Sequence, residues 1–146
     1  MHFGGGTPTY FAPEQLEEVI NAVKEIFPNF APDAEVSCEV DPRYFTVEHM
    51  NVLKAGGCNR LSFGVQDLDE EVQKTIHRIQ PFELTQNVIN IARNAGIHSV
   101  NTDLIYGLPH QTRESFKKTL EKMLTLNTDR FAVFNYAHVP WLMKTM

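Results

Sequence analysis

The stretch Ser99-Val100-Asn101-Thr102-Asp103-Leu104-Ile105-Tyr106-Gly107-Leu108-Pro109 decides how the chain is organised. It reads as a strand closed by a Gly-Leu-Pro turn, with a carboxylate set inside the run. A helical pattern lies on each side of it. Upstream, Leu84, Val88, Ile91, Ala92 and Ala95 recur at helical spacing after Pro81, and Gly96 stands just past the end, where helices stop in a left-handed residue. Downstream, Thr112 is the expected N-cap of a helix carrying Phe116, Leu120, Met123 and Leu124.

The alternation continues to both ends of the sequence. Arg60 to Val65 reads as a strand, followed by a short acidic helix near Asp69 to Ile76. Before it, Thr46 caps a helix with Val47, Met50 and Leu53 on one face, and Gly56-Gly57 ends that helix. Glu35 to Val40 alternates like a strand, and Asp41-Pro42 stops it. Leu16, Val19, Ile20, Val23, Ile26 and Phe27 form an amphipathic stripe between Pro13 and Pro28. Met1 to Phe3 is a strand stub ahead of Gly4-Gly5-Gly6-Thr7, and Arg130 to Phe134 is the last strand. The polar strand-end markers Gly4, Glu39, Gln66, Asp103 and Asn135 follow one another at intervals of 27 to 37 residues, the length of one βα unit. This rhythm predicts an α/β fold with one parallel sheet of about five units, open or curled into a partial barrel. A closed barrel of eight units takes about 250 residues, so 146 residues exclude it. No linker or second domain interrupts residues 1–146.

Composition removes several function classes. Lys plus Arg is 13 against 18 Asp plus Glu, a net charge of −5 that argues against nucleic-acid binding. No apolar run approaches the roughly 20 residues of a membrane span. There is no basic-then-apolar leader, and two cysteines do not make a disulfide framework, so a cytoplasmic location is expected. Cys38 and Cys58 form no C-x-x-C and no histidines stand in an H-x-x-x-H pair, so the expected metal ligands within the chain are none. A nucleophile elbow and a P-loop lysine are also missing.

In parallel α/β folds, ligands lie beyond the carboxyl ends of the strands. Gly4-Gly5-Gly6-Thr7 is either a tight turn or a backbone that approaches a ligand and offers it N–H groups. Glu39, in apolar strand context, is suited to ribose hydroxyls or an ammonium, and equally to capping a loop. Gln66 both donates and accepts, and Asp67 reads as a helix N-cap. Asp103 is suited to a ligand hydroxyl or amine, or to anchoring a loop. Arg78 is suited to a carboxylate, although position alone favours a solvated side chain. His138 sits beside the last strand and reads as loop structure.

The segments HFGGGTPT, EVDP, NRLSFGVQD, NTDLIYGLPHQT and DRFAVFNYAHVPW occur in this order, one per βα unit. Together they resemble oxygen-independent coproporphyrinogen III oxidases (coproporphyrinogen dehydrogenases), a family of radical S-adenosylmethionine enzymes in porphyrin and heme biosynthesis. The resemblance implies a (βα)6 partial barrel and a [4Fe–4S] cluster held by a C-x-x-x-C-x-C loop. It also implies a 5′-deoxyadenosyl radical that starts oxidative decarboxylation of two propionates of coproporphyrinogen III, giving protoporphyrinogen IX. Two S-adenosylmethionine molecules, an electron donor and a monomeric state belong to the same expectation. By position, Gly5 and Glu39 match contacts to the cluster-bound S-adenosylmethionine. Gly6, Thr7, Gln66, Arg78, Asp103 and Ala137 match contacts to the second molecule. The resemblance thus reverses the solvated reading of Arg78 and adds Ala137, which a backbone contact would explain.

The cluster loop has no counterpart here, because the first strand corresponds to the family's second. The chain therefore reads as the central part of the barrel, without cluster loop or C-terminal domain. By itself it is expected to be inactive and prone to aggregate at its open sheet edges. The alternative is a non-enzymatic relative that carries heme, as in the sister group of heme-chaperone-like proteins sharing GGGTP and SFGVQ, or one that only binds S-adenosylmethionine.

Overall fold

Five strands build one sheet in chain order in the computed structural model, which describes residues 1–137. They are β1 (His2–Phe3), β2 (Ser37–Val40), β3 (Arg60–Gln66), β4 (Ser99–Tyr106) and β5 (Arg130–Asn135), and every neighbouring pair is parallel. The helices α1 (Pro13–Ile26), α2 (Val47–Ala55), α3 (Glu70–Thr75), α4 (Phe82–Asn94) and α5 (Arg113–Met123) fill the crossovers. The open parallel sheet is what the βα rhythm predicts.

Helix boundaries follow local chemistry. Thr46 accepts from the His49 N–H at 3.3 Å, and Thr112 and Ser115 form a reciprocal capping box at 3.0 and 2.9 Å. Gly96 ends α4 at φ +79°, a left-handed residue of the kind that closes helices. Asp69, not Asp67, caps α3, accepting from the Glu71 and Val72 N–H groups. Asp67 is instead fully buried, two residues too early to reach the first turn, and serves as a tertiary anchor.

Burial alternates without a break along β3. Leu61, Phe63 and Val65 join the helix side chains in the core, and Phe63 meets Phe45 edge-on at 5.7 Å. Cys38 and Cys58 belong to this core, and burial pushes their thiols up to about 12 and about 11.

Some apolar residues lie elsewhere than the helical stripes imply. Val47 is exposed, while His49 is buried in its place, held by Thr46 Oγ1 at 3.0 Å and the Phe11 carbonyl at 2.9 Å. Leu124 lies past the end of α5 and is exposed, and Leu126 takes the core position. Ile26 and Phe27 are exposed because α1 lies over the sheet edge, and only Leu16 and Ile20 are fully covered. β2 begins at Ser37, since the Val36 carbonyl is taken by the Asn59 and Arg60 N–H groups. Among the described residues no helix is long and apolar enough to cross a membrane.

Candidate functional site

The sheet face opposite the helices is polar. Glu39, Ser62, Asn101 and Asp103 stand on it, and with Ala132 and Phe134 they line an open cavity of about 420 Å3. A smaller cavity of about 130 Å3 adjoins it toward the strand ends, lined by Gly6, Thr7, Glu39, Asp41, Ser62, Gly64, Gln66, Arg78 and Asp103. Six of the expected site residues therefore share one wall: Gly6, Thr7, Glu39, Gln66, Arg78 and Asp103. Gly5 stands beside it and donates its N–H to Glu39 Oε2 at 3.1 Å. Ala137 is exposed and is not part of the lining. His138 lies outside the described residues.

The glycine run is shaped by space and by φ. Gly5 and Gly6 have φ of +81° and +70°, which favour glycine. A Cβ on Gly4 would lie 2.3 Å from His2 Nε2 and 3.0 Å from Glu39 Cδ. His2 in turn lies 3.5 Å from Glu39 Oε1 through Nε2 and 2.9 Å from Ser37 Oγ through Nδ1. The run is thus a turn that also seats Glu39 against its own backbone.

On β4, Asp103 accepts from Ser62 Oγ at 2.8 Å and from Asn101 Nδ2 at 2.7 Å. Burial raises the Asp103 carboxyl above its usual range, against these hydrogen bonds, and the nearby Glu39 charge adds to the rise.

Gln66 ends β3 at φ +68°, next to a register shift between Gly64 and Gln66. The bulge turns the strand end, and Asp67 holds the turn. Its carboxylate accepts from the Asp69 N–H at 2.7 Å, from Thr119 Oγ1 at 2.6 Å and from Gln111 Nε2. Thr119 lies on α5, so that helix braces the segment that follows β3.

Arg78 sits in the loop after α3. Gln73 closes that loop: its Nε2 donates to the Asp67 and Gln80 carbonyls at 2.9 and 2.7 Å, and its Oε1 accepts from the Gln80 N–H at 2.9 Å. The Arg78 side chain is only 18% exposed. Its Nη1 meets Asp41 Oδ2 at 2.8 Å, its Nη2 donates to the Gly64 carbonyl at 2.9 Å, and its buried Nε has no partner. This overturns the solvated reading that position alone favoured. Burial lowers the Arg78 guanidinium, opposed by the Asp41 charge. Burial would raise the Asp41 carboxyl, but hydrogen bonds from Arg43 and the charges of Arg78 and Arg43 hold it below its usual value.

Asp41, Arg43, Ser62 and Asn101 were not singled out by sequence reasoning. Strand alternation from Asp103 and Gln66 points to Asn101 and Ser62, which face the same side. Asp41 looked like a strand terminator.

A cavity edged by glycine backbone, with a guanidinium and carboxylates in its wall, suits a small ligand that carries both charges. The residues fit S-adenosylmethionine in this respect. They do not fit an iron–sulfur cluster: both cysteines are core residues with raised thiols, and no described cluster of His, Cys, Asp or Glu suits a metal ion.

Comparison with known proteins agrees with the fold. An oxygen-independent coproporphyrinogen III oxidase of Helicobacter pylori strain J99 is 64% identical over 146 residues, covering 100% of this chain and 32% of the relative. An anaerobic coproporphyrinogen III oxidase of Cereibacter sphaeroides is 48% identical over 144 residues, 99% of this chain and 32% of that protein. Among solved structures, the Escherichia coli coproporphyrinogen III oxidase, described as a radical SAM enzyme, superposes with a TM-score of 0.92 at 48% identity, over 98% of this chain and 33% of that one. The archaeal Elp3 of Methanocaldococcus infernus shares the fold alone, with a TM-score of 0.76 at 19% identity, over 92% of this chain and 36% of that one. The chain thus spans about a third of the curated relatives it matches. The radical SAM superfamily profile matches residues 1–123, and with the parallel βα sheet and its strand-end cavity this places the chain in the radical SAM superfamily.

Proposed function

We propose that this chain is the S-adenosylmethionine-binding part of an oxygen-independent coproporphyrinogen III oxidase. The observation that carries the proposal is the 130 Å3 cavity, where Arg78 and the Glu39 and Asp103 carboxylates meet the glycine run at the strand ends. Relatives of that name cover the whole chain at 64% identity. In this reading residues 1–146 are the central part of a (βα)6 barrel, and the cluster loop and a C-terminal domain belong to the rest of the longer protein.

Each residue has a physical task. The Arg78 guanidinium takes the ligand carboxylate. Glu39 and Gly5 face the cluster-bound S-adenosylmethionine. Arg78, Asp103, Gln66, Gly6 and Thr7 face a second molecule, and Ala137, outside the cavity lining, is assigned to it by position in the sequence alone. Asp103, held by Ser62 and Asn101, stays in place while it accepts from ligand hydroxyls or an amine. The [4Fe–4S] cluster has its ligands outside this chain. When bound, S-adenosylmethionine would supply the oxidant that takes a hydrogen atom from each of two propionates of coproporphyrinogen III, and each would then lose CO2 and one electron, to an acceptor outside this chain, to become a vinyl group. An electron donor, a monomeric state and a cytoplasmic location complete the reading.

The test is a chimera in which residues 1–146 replace the matching third of the full-length Helicobacter pylori relative. Binding of S-adenosylmethionine and anaerobic formation of protoporphyrinogen IX are expected. Arg78→Gln and Glu39→Gln are each expected to weaken binding at least tenfold. A chimera that binds heme but not S-adenosylmethionine refutes the proposal and favours a carrier.

A further inference from the structure

Asp41 is 4% exposed and serves two arginines at once. Its place is set locally. Asp41-Pro42-Arg43-Tyr44 is a turn closed by the Tyr44 N–H on the Asp41 carbonyl at 3.1 Å. Inside that turn the Arg43 N–H and Nε both donate to Asp41 Oδ1, at 3.0 and 3.1 Å, and Arg43 Nη2 donates to Oδ2 at 2.8 Å. The carboxylate therefore cannot swing. Its Oδ2 also lies 2.8 Å from Arg78 Nη1.

The brace extends further on the other side. The Arg43 guanidinium lies over the Tyr44 ring at 5.3 Å, and Tyr44 meets Tyr10 edge-on at 5.5 Å. Tyr10 ends the short turn Pro8–Tyr10 that leaves the glycine run. One carboxylate thus links the loop after β1, the loop after β2 and the loop after α3.

We propose that Asp41 is the positioning residue for Arg78, and that it sets how tightly the cavity holds a ligand carboxylate. The proposal rests on the reading of the cavity as an S-adenosylmethionine site. Two geometric facts carry it. Asp41 and the Gly64 carbonyl occupy Nη1 and Nη2 of Arg78, which fixes the plane of the guanidinium. Its Nε stays buried and without a partner, in a residue that lines the cavity. In addition, Arg43 and Arg78 against Asp41 leave this brace with one excess positive charge, which the Glu39 and Asp103 carboxylates of the cavity share with a ligand carboxylate.

The experiment uses the full-length chimera with its cluster reconstituted anaerobically and no reductant, so that binding is read without turnover. S-Adenosylmethionine and decarboxylated S-adenosylmethionine are titrated, and the ratio of their affinities is the readout. Arg78→Gln is expected to lower this ratio about ten- to a hundredfold, the range of a charge-assisted hydrogen bond. The double variant Asp41→Asn with Arg43→Gln keeps the local charge sum of the native site and removes only the brace. It also spares the fold an unpaired Arg43 beside a neutral Asn. Its ratio is expected to fall at least tenfold, with little further fall when Arg78→Gln is added, because the three changes act through one contact. A double variant with a native ratio, beside a lowered ratio in Arg78→Gln, overturns the positioning role and leaves the site reading intact. An unchanged ratio in Arg78→Gln overturns the site reading and the positioning role with it.

Discussion

Replacing Gly64 by alanine tests the cavity without removing any charged group. The φ of Gly64 is not in the left-handed region, so the backbone accepts alanine there. What matters is space: the new Cβ would lie 3.0 Å from Gln66 Nε2 and 3.2 Å from Arg78 Nη2. Both neighbours are the far ends of long side chains, so they shift, Arg78 against its bonds to Asp41 and the Gly64 carbonyl, and the fold survives. Alanine gains about 0.4–1 kcal/mol by restricting the unfolded chain. That offsets part of the weakened hydrogen bond between Arg78 and the Gly64 carbonyl, typically about 1.5–3 kcal/mol when one partner is charged. Net stability should fall by about 0.5–2.6 kcal/mol. Recognition has no such offset. A guanidinium moved off its pose loses a charge-assisted bond to the ligand carboxylate, roughly ten- to a hundredfold in affinity. The assay is calorimetric titration of the chimera with S-adenosylmethionine, beside a thermal melt. An affinity within twofold of native, with an unchanged melt, refutes the reasoning.

The remaining predictions concern stability and reactivity. Phe63→Ala, at a position with no exposed surface, should cost about 3–5 kcal/mol in urea unfolding. Asp67→Ala leaves the Thr119 hydroxyl and the Asp69 N–H without their acceptor and the Gln111 amide with the Ile105 carbonyl alone, and should cost about 2–4 kcal/mol by the same measurement. Asp103 and Asp41 should differ in sign with pH. The folded Asp103 carboxyl lies above its ordinary value of 3.8, so its ionisation opposes folding. Asp103→Asn should therefore gain melting temperature over native at pH 7, a gain that vanishes below about pH 3.8. The folded Asp41 carboxyl lies below 3.8, so its contribution is present above that pH and lost as pH falls through the folded value. Asp41→Asn should melt lower than native at pH 7, with the deficit shrinking in acid. Cys38 and Cys58, with thiols at about 12 and about 11, should resist a thiol-specific disulfide reagent at pH 8 until the protein is unfolded. Labelling at the rate of a free thiol refutes their placement.

Local signals carried the elements. β4 was legible in full because apolar alternation and Gly107-Leu108-Pro109 agree on where it ends, and Thr46 and Thr112 announce their helices by capping chemistry. The polar residues set in the strands were legible because Glu39, Gln66 and Asp103 stand out against apolar neighbours, although only Gln66 ends its strand. Arg78 was not, because its partner Asp41 is remote in sequence and the loop that carries Arg78 is closed by the buried Gln73 and Gln80. Asp67 was misread because N-capping and burial draw on the same residue type, and Asp69 was nearer the helix start. Val47 and His49 exchanged places through a hydrogen bond to the Phe11 carbonyl, a tertiary contact that no periodicity encodes.

The unbroken alternation of β3 has a genetic consequence. Even-numbered codons from 60 to 66 specify the open face, and odd-numbered codons from 61 to 65 specify the packed one. Changes at Ser62, Gly64 and Gln66 can therefore accumulate in lineages that alter what the cavity accepts, with the core left as it was. A one-residue insertion within this strand would exchange the two sets at once, putting Leu61, Phe63 or Val65 into the cavity and polar groups under the helices. Point substitution is thus open to this strand as a route of divergence, while length change ahead of the bulge at Gly64–Gln66 is closed.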